Sequence, residues 1–123
     1  MKHAELTEKV IKSYYKIYNT IGHGFLEKVY ENAMIIELKK HRLSAVKQQP
    51  IKVYYDEKVV GEYFADLIVE GKVIIELKVA RKLAKEHEAQ LVNYLKATDI
   101  DVGLLLNFSV KPEFKRKVFS NDY

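Results

Sequence analysis

Ala65-Asp66-Leu67-Ile68-Val69-Glu70-Gly71-Lys72-Val73-Ile74-Ile75-Glu76-Leu77-Lys78 is the stretch on which the fold of this chain turns. Two apolar, β-branched runs flank Glu70-Gly71-Lys72, the pattern of a β-hairpin with a short turn. Successive strand residues point to opposite faces, so Glu76 and Lys78 share one face and Leu77 turns to the other. With Glu70 to Lys72 as a three-residue loop, Asp66 lies opposite Glu76 and Phe64 opposite Lys78. Two carboxylates and an ammonium then meet on one patch of sheet. The other face carries Ala65, Leu67, Val69, Val73, Ile75, Leu77 and Val79, an apolar surface for a helix to cover.

Paired carboxylates on a half-buried sheet repel, which raises at least one pKa unless a cation neutralises them. Mg²⁺ suits such a pair, because it takes a few carboxylate oxygens and keeps waters that leave room for a phosphate. An adjacent lysine orients the attacking water or offsets charge developing on phosphorus. A cross-strand salt bridge on an exposed sheet face explains the same residues more plainly. The spacing Asp-x9-Glu-x-Lys alone does not decide between them.

The bulk composition narrows the class. A chain of 123 residues is one domain with room for an ordinary core. Its 48% hydrophobic and 31% charged content fits a folded protein rather than a disordered one. The absence of cysteine excludes disulfides and thiolate metal sites. The start, Met1-Lys2-His3-Ala4-Glu5, has no apolar signal core, and no run approaches membrane-spanning length, so a cytoplasmic protein is expected. A net charge of +4 permits a polyanionic partner without demanding one.

Periodicity orders the rest of the chain. Leu6, Val10, Tyr14, Ile17 and Ile21 recur at helical spacing, which predicts a first helix over about 5–20. Gly22-His23-Gly24 breaks it, and a second helix over 25–41 is predicted with Leu26, Val29, Ala33 and Ile36 on one stripe. Strands are expected over 46–55, with Pro50 marking an edge or bulge, over 59–69 and over 72–79. A third helix over 83–97 leads to a buried strand over 102–108, and Pro112 opens a terminal helix predicted over 111–119. A strand reached through a helical crossover pairs in parallel, so the sheet is mixed, with helices on both faces. The fold class is α/β.

At this point the residues resemble a family. The chain is similar to the GxxExxY proteins, a branch of the PD-(D/E)XK nuclease superfamily, whose naming motif stands here as Gly24-Phe25-Leu26-Glu27-Lys28-Val29-Tyr30. The superfamily core is a helix, three antiparallel strands, a helix and a strand, the order read above over 21–108, here with an extra N-terminal helix. Its catalytic signature is similar to Asp66 followed by Glu76-Leu77-Lys78, with Ala65 where proline usually stands. Gln90-Leu91-Val92-Asn93-Tyr94 resembles the Gln-x-x-x-Tyr motif of RecB-like members. The resemblance implies a restriction-endonuclease-like domain that hydrolyses nucleic-acid phosphodiesters, DNA ahead of RNA, with Mg²⁺ or Mn²⁺. Asp66 and Glu76 would bind the metal, helped by Glu27 and the backbone carbonyl of Leu77. Lys78 would position the water and Gln90 would orient the group.

Individual residues have competing explanations. Glu27 falls in the first turn of the second helix, where a carboxylate suits the helix dipole in any case, and Glu31 one turn on reads as a surface charge. His87, Gln90 and Tyr94 form one stripe of the third helix, with His87 read as its solvated edge. His23 reads as a loop histidine. Arg81, Lys82 and Lys85 follow the Glu-x-Lys strand and are candidate phosphate contacts, as Tyr94 is; contacts of this kind carry no sequence specificity. With no recognition domain in view, cleavage without sequence specificity is expected. The alternative is a nucleic-acid- or partner-binding module that keeps the fold with little turnover, and beyond that a structural domain whose charges are salt bridges. A homodimer is expected, with contacts through the first helix, ringed by Tyr14, Tyr15 and Tyr18, or the edge near Tyr54 and Tyr55.

Overall fold

The structure, a computed structural model, describes residues 1–120. Eight elements follow in the order α1 (Ala4–Ile21), α2 (Glu27–Lys40), β1 (Ala45–Tyr55), β2 (Lys58–Val69), β3 (Val73–Lys78), α3 (Lys85–Lys96), β4 (Val102–Asn107) and β5 (Glu113–Val118). The strands lie side by side in sequential order. β3 and β4 run parallel because α3 carries the chain back between them, and the other neighbours are antiparallel.

The sheet is buried from both sides. α1 and α2 cover one face, where Val10, Tyr14, Ile17, Tyr30, Met34 and Leu38 pack on Leu67, Val69, Val73, Ile75 and Leu77. α3 covers the other, setting Leu91, Tyr94 and Leu95 against Ile51, Ile68, Ile74 and Leu105. β4 is buried along its whole length, as its continuous apolar run requires. Gly103 lets α3 seat closely, since a Cβ there would lie 2.6 Å from Leu91 Cδ1.

Three expectations are corrected. The segment predicted as a terminal helix over 111–119 is strand β5, paired from Val102↔Val118 to Asn107↔Glu113. The buried β4 would otherwise leave one edge of unpaired amides, and that demand outweighs the helix-opening preference of Pro112. In α2 most of the predicted stripe faces outward: Leu26, Val29 and Ile36 are exposed, Ala33 packs half-buried against the core, and the buried set is Tyr30, Glu31, Met34 and Leu38. The larger ring decides this, because Tyr30 stacks on Phe108 with centroids 4.0 Å apart. The tyrosines of α1 are not spare surface. Tyr14 is fully buried with its hydroxyl on the Asn107 carbonyl, Tyr15 rests edge-on against Phe114, and Tyr18 donates to the Ser109 and Val110 carbonyls.

The hairpin has the expected loop. Val69↔Val73, Ile68↔Ile74 and Leu67↔Ile75 are paired, and the Lys72 N–H closes the turn on the Val69 carbonyl at 2.9 Å. The β2–β3 ladder then ends. β2 continues alone with β1 as a two-stranded arm, and Pro50 sits on the free edge where its missing N–H costs nothing. Ala65 packs in the α3 layer although Leu67 packs beneath α1 and α2, so the alternation along β2 inverts at Asp66. Opposite it on β1, Gln48 takes a left-handed backbone with φ 52°. The expected apolar face is therefore shorter by Ala65, and by Val79, which is exposed.

Candidate active site

The carboxylates occupy the place where the β2–β3 ladder stops. Asp66 Oδ2 accepts the Leu77 N–H at 2.8 Å, and Glu76 Oε2 accepts the Asp66 N–H at 2.7 Å. Each side chain thus satisfies a backbone amide just beyond the last paired residues of the ladder, and these bonds hold both carboxylates at the gap. Glu76 is buried and Asp66 half-buried. Asn107, at the end of the apolar β4, fixes the chain just after Lys78: its Oδ1 accepts the Ala80 N–H at 3.0 Å and its Nδ2 donates to the Ala80 carbonyl at 2.8 Å.

The electrostatics are those of a crowded anionic site. Burial, and then the charge of Asp66, pushes the Glu76 carboxyl up to about 8, against the pull of the Asp66 amide and Lys78. Asp66 is also raised, chiefly by burial, although the Leu77 amide, the Gln48 side chain and Lys78 all favour its charged form. Glu27 is raised by burial and by Asp66, with Lys78 again opposing. Glu27 and Glu31 from α2, Asp66 from β2, and Glu76 and Lys78 from β3 therefore form one electrostatic cluster, in which a single ammonium faces four carboxylates.

Two residues beyond those expected belong here. Gln48 Nε2 donates to Glu31 Oε2 at 2.8 Å and to Asp66 Oδ1 at 3.4 Å, joining β1, α2 and β2. Glu31, read from sequence as surface, is buried in this contact. On the far side Gln90 Nε2 lies 3.3 Å from the Tyr94 hydroxyl, and the phenol is raised by burial and by Glu76. His87 is not a solvated edge: its Nδ1 accepts the Ala84 N–H at 3.0 Å and caps α3. The basic residues do not act as one group. Arg81 and Lys82 line a groove with Lys111, whereas Lys85 lies exposed at the start of α3. Lys117 is held by Glu88 at 2.6 Å, and Arg116 donates to the Lys2 carbonyl.

The sequence profile of the PD-(D/E)XK nuclease superfamily matches residues 4–117. The chain belongs to the PD-(D/E)XK nuclease superfamily. The match takes in α1 and nearly all of β5, beyond the span of the sequence motifs. Among solved structures, the crystal structure of SSO0001 shares the fold with a TM-score of 0.61 at 20% identity, over 98% of this chain. This chain spans 61% of that one's length. No protein of curated function matches. No helix among the described residues is long and apolar enough to cross a membrane.

The side chains at the gap decide which metal ion the site can take. Among the described residues, no three His, Cys, Asp or Glu side chains gather closely enough to hold one by themselves. A hydrated Mg²⁺ or Mn²⁺ does not need three: it is held through one or two carboxylates and keeps its remaining waters. Two carboxylates with raised pKa values, one buried and one half-buried, and all-oxygen chemistry suit such an ion, and do not suit a zinc cage of nitrogen and sulfur. The residues fit.

Proposed function

We propose that the protein is a nuclease of the GxxExxY branch that hydrolyses nucleic-acid phosphodiesters with Mg²⁺ or Mn²⁺ and without sequence specificity. One observation supports this above the others: Asp66 and Glu76 stand at the opened end of the β2–β3 ladder with Lys78 next along the strand. Asp66 and Glu76 would hold the ion, with the Leu77 carbonyl as a further oxygen donor and Glu27 as an auxiliary group acting through one of the ion's waters. The bound ion offsets charge on the phosphate and lowers the pKa of water. Lys78 holds the attacking water by hydrogen bond and places positive charge beside the developing phosphorane oxygens. Gln90 and Tyr94 orient the substrate side of the site, and Gln48 fixes the Asp66 rotamer while sharing its load with Glu31. Arg81, Lys82 and Lys85 contact phosphates along the strand.

Cleavage of end-labelled single-stranded, duplex and branched DNA and RNA tests the reading. Wild type is expected to cut at least one of these in Mg²⁺ or Mn²⁺ and to stop on chelation, and Asp66→Asn to lose roughly 10³-fold or more. Chelator-insensitive cleavage, or full activity in Asp66→Asn, would refute it.

The proposal extends to a cytoplasmic homodimer. The β1–β2 arm exposes Tyr54 (61%), Tyr55 (76%), Val59 and Val60 beside a free strand edge, the features that mark contact surfaces. Light scattering at micromolar concentration is expected to give twice the 14.4 kDa chain mass. A mass of one chain, unchanged by metal and nucleic acid, removes the dimer.

A further inference from the structure

The loop between α1 and α2 builds a second surface against the carboxylate site. α2 begins at Glu27, which leaves Phe25 and Leu26 outside the helix, 48% and 79% exposed. Their positions are fixed. The Tyr30 hydroxyl donates to the Gly22 carbonyl at 2.7 Å and lies 3.3 Å from the Phe25 N–H as its acceptor. Gly24, at φ 109°, makes the bend that only a residue without a Cβ makes freely. Phe25 meets Tyr30 edge-on, and Tyr30 lies flat on the buried Phe108. Phe25 is thus the outermost ring of an aromatic series rooted in the core, a rigid platform with one side open.

A groove of about 330 Å³ runs past this platform, lined among others by His23, Phe25, Leu26, Val79, Arg81 and Val110. Val79 and Val110 are exposed as well, so the lining is largely apolar, with Arg81 as its fixed cation and His23 and Ser109 as its other polar side chains. Its position gives it meaning. Leu26 directly precedes Glu27, and Val79 directly follows Lys78, so both walls continue into groups that feel Asp66. Arg81 also lines the neighbouring groove with Lys82 and Lys111. The aromatic and aliphatic slot and the cationic track thus share Arg81, and the slot joins the carboxylate site through the chain at Leu26–Glu27 and Lys78–Val79. A nucleotide has the matching parts: a flat base, an anionic phosphate and a bond to be cut.

We infer that this groove receives an unpaired base next to the scissile phosphodiester, so that the site takes single-stranded or frayed nucleic acid in preference to continuous duplex. The inference rests on the nuclease reading of the neighbouring site and narrows its substrate class. In a duplex the bases stack on one another and turn their edges, not their faces, to the protein, so the Phe25 ring has nothing to stack against. In a single strand every base has a free face. Arg81, with Lys82 and Lys111, holds the adjoining phosphates.

The test is binding, so that it does not depend on turnover. A single-stranded oligonucleotide carrying a fluorescent purine analogue, and the same strand in a full duplex, are titrated with the protein in chelator. Wild type is expected to bind the single strand at least about tenfold more tightly, with a change in analogue fluorescence that the duplex lacks. Phe25→Ala and, separately, the exposed Leu26→Ser should each weaken single-strand binding, Phe25→Ala by roughly tenfold or more, with duplex affinity unchanged. The Leu26 variant keeps the test open should loss of the Phe25 ring disturb folding, which the melting temperature reports. Equal affinity for the two forms, no binding to either, or single-strand affinity unmoved in both variants would overturn the inference. A protein that cuts duplex and single strand alike keeps the nuclease reading and loses the groove. One that prefers the single strand but cuts nothing keeps the groove and loses the nuclease.

Discussion

Glu76→Gln should melt roughly 10 °C above wild type at about pH 9 and close to wild type at about pH 5. In the unfolded chain the Glu76 carboxyl ionises near 4.5, whereas burial and the Asp66 charge raise it to about 8 in the fold. The native state therefore holds the proton more tightly, and stability falls as pH rises from the lower value through the higher one. The loss is complete above the folded pKa and amounts to roughly 3–5 kcal/mol. Glutamine removes the charge and keeps an oxygen that accepts the Asp66 N–H, so it lifts the penalty without orphaning that amide. Mn²⁺ should do for wild type what the substitution does for the variant, and more strongly at high pH, where the carboxylate is free of its proton. Thermal melts across pH, with and without Mn²⁺, decide it. A variant no more stable than wild type at high pH, or stabilised equally by Mn²⁺, contradicts the assignment.

Lys78→Met should slow single-turnover cleavage by roughly 10²–10⁴-fold while leaving Mn²⁺ bound as tightly as in wild type, or more so. Lys78 pulls Asp66, Glu76 and Glu27 toward their charged forms, so it partly neutralises the carboxylates that the ion needs. Removing it leaves the ion without that competitor and leaves the water without its ammonium. The separation of the two effects is the point: a purely structural lysine would lower both together. A loss of less than tenfold, or a parallel loss of metal binding, would show that Lys78 has no part in the chemistry.

Much of this arrangement was legible in the residues, and the failures have physical causes. The alternation around Glu70-Gly71-Lys72 carries the hairpin register because the loop length leaves a single way to pair Val69 with Val73. The register places Asp66 opposite Glu76, but not the inversion at Asp66, which depends on the left-handed backbone of Gln48 where no glycine announces it. Gln48 and Glu31 were invisible as site residues for the same reason. A charge on an amphipathic helix reads as solvated until another strand crosses over it, and β1 does so only in three dimensions. Glu27 lies four residues before Glu31, and that spacing was the one available signal. β5 went unread because Glu-Phe-Lys-Arg-Lys-Val has too little apolar contrast to show a period, and the free edge of β4 decides its state.

A divalent cation is expected at the opened end of the β2–β3 ladder, between Asp66 and Glu76. Anomalous diffraction from crystals soaked in Mn²⁺ at about pH 9, above the value of about 8 to which the Glu76 carboxyl is raised, tests it directly. A manganese peak within coordination distance of both Asp66 and Glu76, and its absence from Asp66→Asn crystals soaked alike, is the result predicted here. Wild-type crystals with no manganese between those carboxylates, or with the same peak when Asp66 is asparagine, would contradict it.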